Sequence, residues 1–136
     1  GRGEWGPLLN DLSEFHQARR AEEVYATTWK RLFDDGEYEP NGLIAEVDGK
    51  PVGLVHYMLH RTCWTVGNNC YLQDLYADPA VRGKGIGRAL IEAVYEKADE
   101  AGAAHVYWMT QDFNETARKL YDRMAKLTPF IQYQRK

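Results

Sequence analysis

Val81-Arg82-Gly83-Lys84-Gly85-Ile86-Gly87-Arg88 sets three glycines at alternate positions. Immediately after it, Ile86, Ala89, Leu90, Ala93, Val94 and Ala98 recur at i, i+3, i+4, i+7, i+8 and i+12, one face of an amphipathic helix ending near Gly102. Immediately before it, Tyr71 to Ala77 reads as a strand. The glycines therefore mark a strand-to-helix junction. Glycine there accepts φ > 0 and lets the backbone approach a ligand closely. The helix start points unpaired N–H groups and a positive dipole end outward. Arg82, Lys84 and Arg88 add charge in the same place. This combination suits a diphosphate better than it suits an exposed turn with scattered basic residues.

Spacing narrows the kind of phosphate loop. A Walker loop needs Gly-x-x-x-x-Gly-Lys-Ser/Thr, and Lys84 is followed by Gly85. A dinucleotide fingerprint needs Gly-x-Gly-x-x-Gly, and its third position falls on Arg88 or Leu90. What remains is Arg82-x-x-Gly85-x-Gly87.

Upstream, Pro7 to Asp34 is helical in tone, and Asp34-Asp35-Gly36 is a helix stop. The period then switches. Leu43 to Val47 is a short apolar strand, Asp48-Gly49 a tight turn, and Pro51 to Thr62 a long strand. Val66-Gly67-Asn68-Asn69 is a second turn before Tyr71–Ala77, so an antiparallel meander is expected. Downstream, Ala104 to Thr110 reads as a buried strand. Asp112 with Glu115 three residues on suggests a capping-box helix start, and Ala117, Leu120, Tyr121 and Met124 line one face of that helix. Pro129 is expected to end it, and Phe130 to Tyr133 to close the chain as a strand. The connection from Tyr71–Ala77 to Ala104–Thr110 should be a right-handed βαβ unit with parallel strands.

Arg82-x-x-Gly85-x-Gly87 resembles the Arg/Gln-x-x-Gly-x-Gly/Ala motif of the GNAT superfamily of N-acetyltransferases, which seats the pyrophosphate of coenzyme A. Tyr71-Leu72-Gln73-Asp74-Leu75-Tyr76-Ala77-Asp78-Pro79 is similar to that family's central strand, and Asn114-Glu115-Thr116-Ala117-Arg118-Lys119-Leu120-Tyr121 to its Asn-x-x-Ala-x-x-Leu-Tyr helix. Together these cover most of Leu43 to Tyr133. Val106-Tyr107-Trp108 and the short tail resemble small bacterial members and the yeast histone and polyamine acetyltransferase subgroup. The resemblance implies an α/β domain with a mixed sheet, helices on both faces and acetyl-CoA in a splayed cleft. It also implies an initial strand before the first helix. This chain enters helix soon after Gly1-Arg2-Gly3, so that strand is expected to be missing, leaving an uncovered edge beside Leu43–Val47 or a strand supplied by residues outside the sequence.

The resemblance assigns roles. Leu75, Tyr76 and Ala77 would be the backbone segment that holds the pantetheine arm and polarises the thioester carbonyl. Arg82, Gly83, Lys84, Gly85, Ile86, Gly87 and Arg88 would hold the pyrophosphate, and Asn114 and Ala117 would belong to the cofactor site at the start of the last helix. Tyr121 would be the general acid: a phenol of pKa about 10 is protonated at neutral pH and can give its proton to a departing thiolate. Taken alone, Tyr121 reads as core packing on an apolar helix face; the motif around it argues for catalysis. Many relatives carry a Glu as base where this chain has Gln73, which cannot accept a proton. Asp74, directed by strand alternation to the face opposite Gln73, and His56, on the preceding strand, are the candidates, and a water relay is favoured over either.

Composition agrees with an ordinary globular domain. The 136 residues fit one domain, 1–136, with 44% hydrophobic and 27% charged residues. With 17 Lys and Arg against 20 Asp and Glu, the net charge of −3 argues against a nucleic-acid binder and mildly favours a cationic acceptor. No apolar run approaches the roughly 18–20 residues of a membrane span. The first residues lack signal-peptide form, so a cytoplasmic location with reduced thiols is expected, and Cys63 and Cys70 are not expected to pair although they flank one turn. His16, His56, His60 and His105 show no metal-ligand spacing, and no metal is expected. The expected activity is acetyl transfer from acetyl-CoA to a primary amine (a small amine or polyamine, an amino acid or a basic peptide) by direct attack. A non-catalytic acyl-CoA-binding or regulatory module is the alternative, supported by the missing Glu. A homodimer is left open, with Phe130–Tyr133 available to pair with or exchange into a second subunit.

Overall fold

The structure is a computed structural model and describes residues 22–81 and 83–136. Its elements are α1 (Glu22–Leu32), β1 (Asn41–Val47), β2 (Lys50–His60), β3 (Asn69–Ala77), α2 (Ile86–Glu100), β4 (His105–Tyr107) and α3 (Glu115–Met124), with a single 3-10 turn over Pro79–Val81. The sheet order is β1-β2-β3-β4. The first two pairings are antiparallel, and β3 with β4 is parallel, so the sheet is mixed as expected. Asp48 (φ 52°) and Gly49 (φ 78°) both take the left-handed conformation, which is why Asp-Gly closes the β1–β2 hairpin.

Alternation along β2 divides two cores. Val55 and Tyr57 face Leu90, Ile91, Val94 and Ala98 of α2, with Leu120, Tyr121 and Met124 of α3 packed alongside. Leu54, on the other face, packs with Tyr76, Ile44 and Trp29 and Leu32 of α1. Gly53 lies on the α2 face, where a Cβ would come 2.8 Å from Ile86 Cγ2 and 3.0 Å from Leu90 Cδ1. Ile86 opens α2 and is β-branched, with little rotameric room to retreat. Gly53→Ala is therefore expected to cost about 1–3 kcal/mol of stability, read from urea unfolding.

Four expectations change. The strand expected over Ala104–Thr110 shortens to His105–Tyr107 and is not buried: only Val106 turns to the α2 core, while Tyr107 is 38% exposed. The last helix is capped by Asn114 rather than Asp112, since Asn114 Oδ1 accepts from the Ala117 N–H at 3.4 Å. That helix ends at Met124, before Pro129, with extended backbone at Ala125. Phe130 to Tyr133 forms no strand: its apolar side chains are exposed and no described strand lies beside it to complete a ladder. The helical reading of 7–34 holds over Glu22–Leu32 and stops two residues short of Asp34, while its 7–21 part and the strand expected to be missing lie outside the described residues. Cys63 is exposed, Cys70 is buried, and both are free. Burial pushes the Cys70 thiol up to about 11, which keeps it protonated and unreactive. Among the described residues no helix is long and apolar enough to cross a membrane.

Candidate active site

The glycine run folds as its sequence requires. Gly83 (φ 85°) and Gly85 (φ 77°) are both left-handed. Gly85 is the N-cap of α2 and supplies no side-chain bond, so the first N–H groups of that helix point outward without a side-chain cap. A Cβ at either position would meet nothing within 4 Å, so conformation and not crowding calls for glycine here. Lys84 is exposed beside them. Arg88 lies back along the helix, its Nε donating to Glu92 Oε1 at 2.9 Å across an exposed i,i+4 pair. Arg82 lies outside the described residues. Gly87 sits where a Cβ would come 3.3 Å from Leu120 Cδ2, so α2 and α3 approach closely at this end.

Among the described residues, the edge of β3 that continues toward this nest has no strand beside it. Parallel pairing with β4 runs from Asn69–His105 through Cys70–Val106 to Tyr71–Tyr107 and stops. From Leu72 onward, β3 keeps only its β2 partners among the described residues: Leu75 opposite Val55, Tyr76 opposite Leu54 and Ala77 opposite Gly53. The second edge of Leu75–Ala77 thus offers backbone donors and acceptors to a ligand lying between β3 and the chain after β4. An extended chain carrying amides, with a diphosphate at one end, fits both features: the amides along the β3 edge and the diphosphate over the Gly83–Gly85 turn.

Tyr121 packs on the α2 side of the sheet. Its ring packs edge-on against Trp108 at 5.4 Å, and Trp108 in turn lies 6.2 Å from the Tyr95 ring. Burial raises the Tyr121 phenol above its ordinary value, so the hydroxyl keeps its proton through neutral pH. Tyr95 holds the end of α3 through its own hydroxyl, which donates to Met124 O at 3.1 Å. Asn114 and Ala117 meet in the α3 cap, which fixes the orientation of the Asn114 amide at the helix start.

On the other face, His56 and Asp74 are joined. His56 Nδ1 donates to Asp74 Oδ2 at 2.9 Å, across directly opposed positions of β2 and β3. His56 is 5% exposed, and the Asp74 side chain is the more open of the two. A bulge follows at once: His56 faces Asp74 but Tyr57 faces Leu72, so Gln73 is the extra residue and is exposed. Each partner was singled out in the sequence, but not their pairing, which depends on the β2–β3 register. Gly53, whose lack of a side chain lets α2 close on the sheet, was missed as well. Its one sequence signal is a glycine inside a strand.

Comparison with known proteins places these features. The profile of the Acetyltransferase (GNAT) family matches residues 5–125. The chain is 36% identical over 132 residues to the D-amino-acid N-acetyltransferase HPA3 of Saccharomyces cerevisiae, covering 96% of this chain and 82% of that protein. It is 33% identical over 129 residues to the thialysine N-epsilon-acetyltransferase of Mus musculus, covering 84% and 71%. Among solved structures, the ribosomal-protein-alanine N-acetyltransferase of Brucella melitensis biovar Abortus superposes with a TM-score of 0.78 at 30% identity, covering 98% of this chain and 91% of that one. The fold is also that of AAC(6')-Iy in complex with the bisubstrate analogue CoA-S-monomethyl-acetylneamine, with a TM-score of 0.81 at 20% identity, covering 98% and 90%. With the family profile spanning nearly the whole chain, the parted strands and the glycine nest belong to an N-acetyltransferase of the GNAT family.

Proposed function

We propose that this chain transfers the acetyl group of acetyl-CoA to a primary amine by direct attack, with Tyr121 and the His56–Asp74 pair serving the two proton movements. Bound acetyl-CoA would supply an activated thioester. The Gly83–Gly85 turn, the α2 N-terminus and Lys84 would hold its pyrophosphate, with Arg82 assigned there by the motif and Arg88 on turning from Glu92. The Leu75–Ala77 backbone would orient the pantetheine arm and donate toward the carbonyl.

The observation that carries this reading is the distribution of groups across β3. A protonated phenol lies on the α2 face of the sheet and an imidazole–carboxylate pair that includes β3 on its α1 face. An amine arriving from the α1 face is mostly an ammonium at neutral pH and must lose a proton before it can attack. Asp74 accepts from Nδ1, which leaves the lone pair on Nε2. The proton passes to Nε2 across one water, since His56 is almost fully enclosed, and Asp74 stabilises the imidazolium that results. Tyr121 then gives its proton to the departing thiolate; the nitrogen sheds its second proton to solvent as the amide forms, and the phenolate is re-protonated from solvent. Relatives named for D-amino acids and thialysine support small amino acids and amines as acceptors, with basic peptides as the wider class.

The test is thiol release from acetyl-CoA over a panel of amines, D- and L-amino acids and basic peptides. Saturable release with at least one acceptor is expected. CoA binding with no release from any of them would leave a non-catalytic acyl-CoA module in its place. Gly85→Ala should weaken CoA binding about tenfold by calorimetry, because a Cβ opposes the left-handed cap by roughly 1–2 kcal/mol, while binding of pantetheine, which lacks the diphosphate, stays unchanged.

A further inference from the structure

One cluster on the α1 face has no part in the chemistry above. Tyr71 stacks on Tyr107, with ring centroids 5.0 Å apart and planes at 24°. His60 meets Tyr107 edge-on at 5.7 Å, with Nε2 2.7 Å from the Tyr107 hydroxyl and Nδ1 2.8 Å from Arg61 O. A carbonyl oxygen can only accept, so Nδ1 carries a proton. In the neutral ring Nε2 therefore accepts from the Tyr107 hydroxyl.

The bulge at Gln73 is what joins this cluster to the His56–Asp74 pair. Residues three apart on a regular strand lie on opposite faces. With one residue inserted between them, Tyr71 and Asp74 fall on the same face. Leu72 and Leu75 show the same displacement, since both belong to the α2-side core. Burial first, and then the Asp74 charge, raise the Tyr71 phenol, so the carboxylate is close enough to act on that ring. Along one face the order is thus His56–Asp74, Tyr71, Tyr107, His60.

Resting on the acetyltransferase reading, we propose that Tyr71, Tyr107 and His60 determine acceptor specificity by seating a second cationic group, remote from the reacting amine, against the Tyr107 ring. The Tyr71 ring stacks against Tyr107, and Tyr107 remains 38% exposed. Tyrosine faces attract cations through the ring quadrupole. The Asp74 carboxylate acts on the Tyr71 ring of the stack, the His60 ring is held by its two bonds, and the Arg61 guanidinium is turned over the Tyr38 ring at 5.6 Å. Among the described residues no Lys or Arg is bonded to this cluster to receive a carboxylate, whereas a diamine would find a carboxylate at one end and an aromatic surface at the other.

The experiment compares pentylamine with the terminal diamine of the same length, using the full chain. Tyr107→Leu should raise KM for the diamine about five- to tenfold and KM for pentylamine less than about twofold, with KM for acetyl-CoA unchanged. Tyr107→Phe keeps the ring and should stay within about twofold of the parent for both, and thermal unfolding shows that both variants fold. Calorimetry of the diamine, with no acetyl donor present, should show the same ordering of the three proteins. Ring-dependent diamine binding without turnover of any amine would overturn the acetyltransferase reading and uphold the seat. Equal KM increases for the two amines, a Phe variant as impaired as the Leu variant, or preference for an amino-carboxylate of that length over the diamine would overturn the seat and leave the acetyltransferase reading intact.

Discussion

Tyr121→Phe is expected to lower kcat about 100-fold or more, with KM for acetyl-CoA within about threefold of the parent. The substitution removes one oxygen and keeps the ring. The edge-on contact with Trp108 and the burial against the α2 face are those of the ring, so the fold has little reason to change. What disappears is the proton available to a leaving thiolate. Burial raises the phenol of Tyr121, which fixes the sign of two pH effects. The donor form is present at neutral pH, and the donor is lost only above the ordinary phenol value of about 10. Stability follows the same direction: the contribution of the enclosed neutral phenol is complete below the unfolded pKa and is lost as pH rises through the higher folded one. The alkaline fall in kcat should therefore lie above about pH 10 in the parent, and its Tyr121 component should be absent from the Phe variant. Steady-state kinetics with thermal unfolding checks this. Loss of cofactor affinity equal to the loss of turnover would make Tyr121 a packing residue.

Local signals were the legible ones. The alternation of Gly83, Gly85 and Gly87 and the spacing of Ile86 to Ala98 each involve only neighbours in sequence, and the nest and α2 form where those patterns require. Asp48-Gly49 fixed the first hairpin for the same reason. Readings that depended on a distant partner fared differently. Phe130-Ile131-Gln132-Tyr133 has strand composition, but a strand exists only against another, and none of the described strands lies beside it. Ala104 to Thr110 continues apolar past Tyr107, yet the ladder stops there because the strands part, and nothing local in that run records the parting. Asp112 and Asn114 are both competent caps, and the choice between them is made by where the first turn of α3 begins.

The bulge has the widest consequences. Period-two alternation places Tyr71 and Asp74 on opposite faces, and the inserted Gln73 puts them on one. It leaves Gln73 exposed and makes Asp74 the carboxylate opposite His56. An amine proton acceptor can then be built from residues that a strand pattern alone treats as unrelated.

His56→Gln should lower kcat/KM about 100-fold for strongly basic amines. An amine with a pKa of about 10 is almost wholly protonated at neutral pH, so its reaction needs a proton acceptor. An acceptor weakly basic enough to be neutral at the assay pH needs none. The penalty of the Gln variant should accordingly shrink toward about threefold as fluorine substitution makes the amine less basic. A structural defect would depress all acceptors alike, so this dependence separates loss of a base from loss of shape. Asp74→Asn tests the other half of the pair. An asparagine can turn its amide N–H toward Nδ1, and the ring then protonates at Nε2, where the lone pair is needed. It should approach the His56 defect, and the double variant should be little worse than either single one, because both remove the same function. If water alone carries the amine proton to solvent, His56→Gln will leave kcat/KM within about threefold across the whole amine series. The 2.9 Å bond would then be a tie between β2 and β3 with no part in the chemistry.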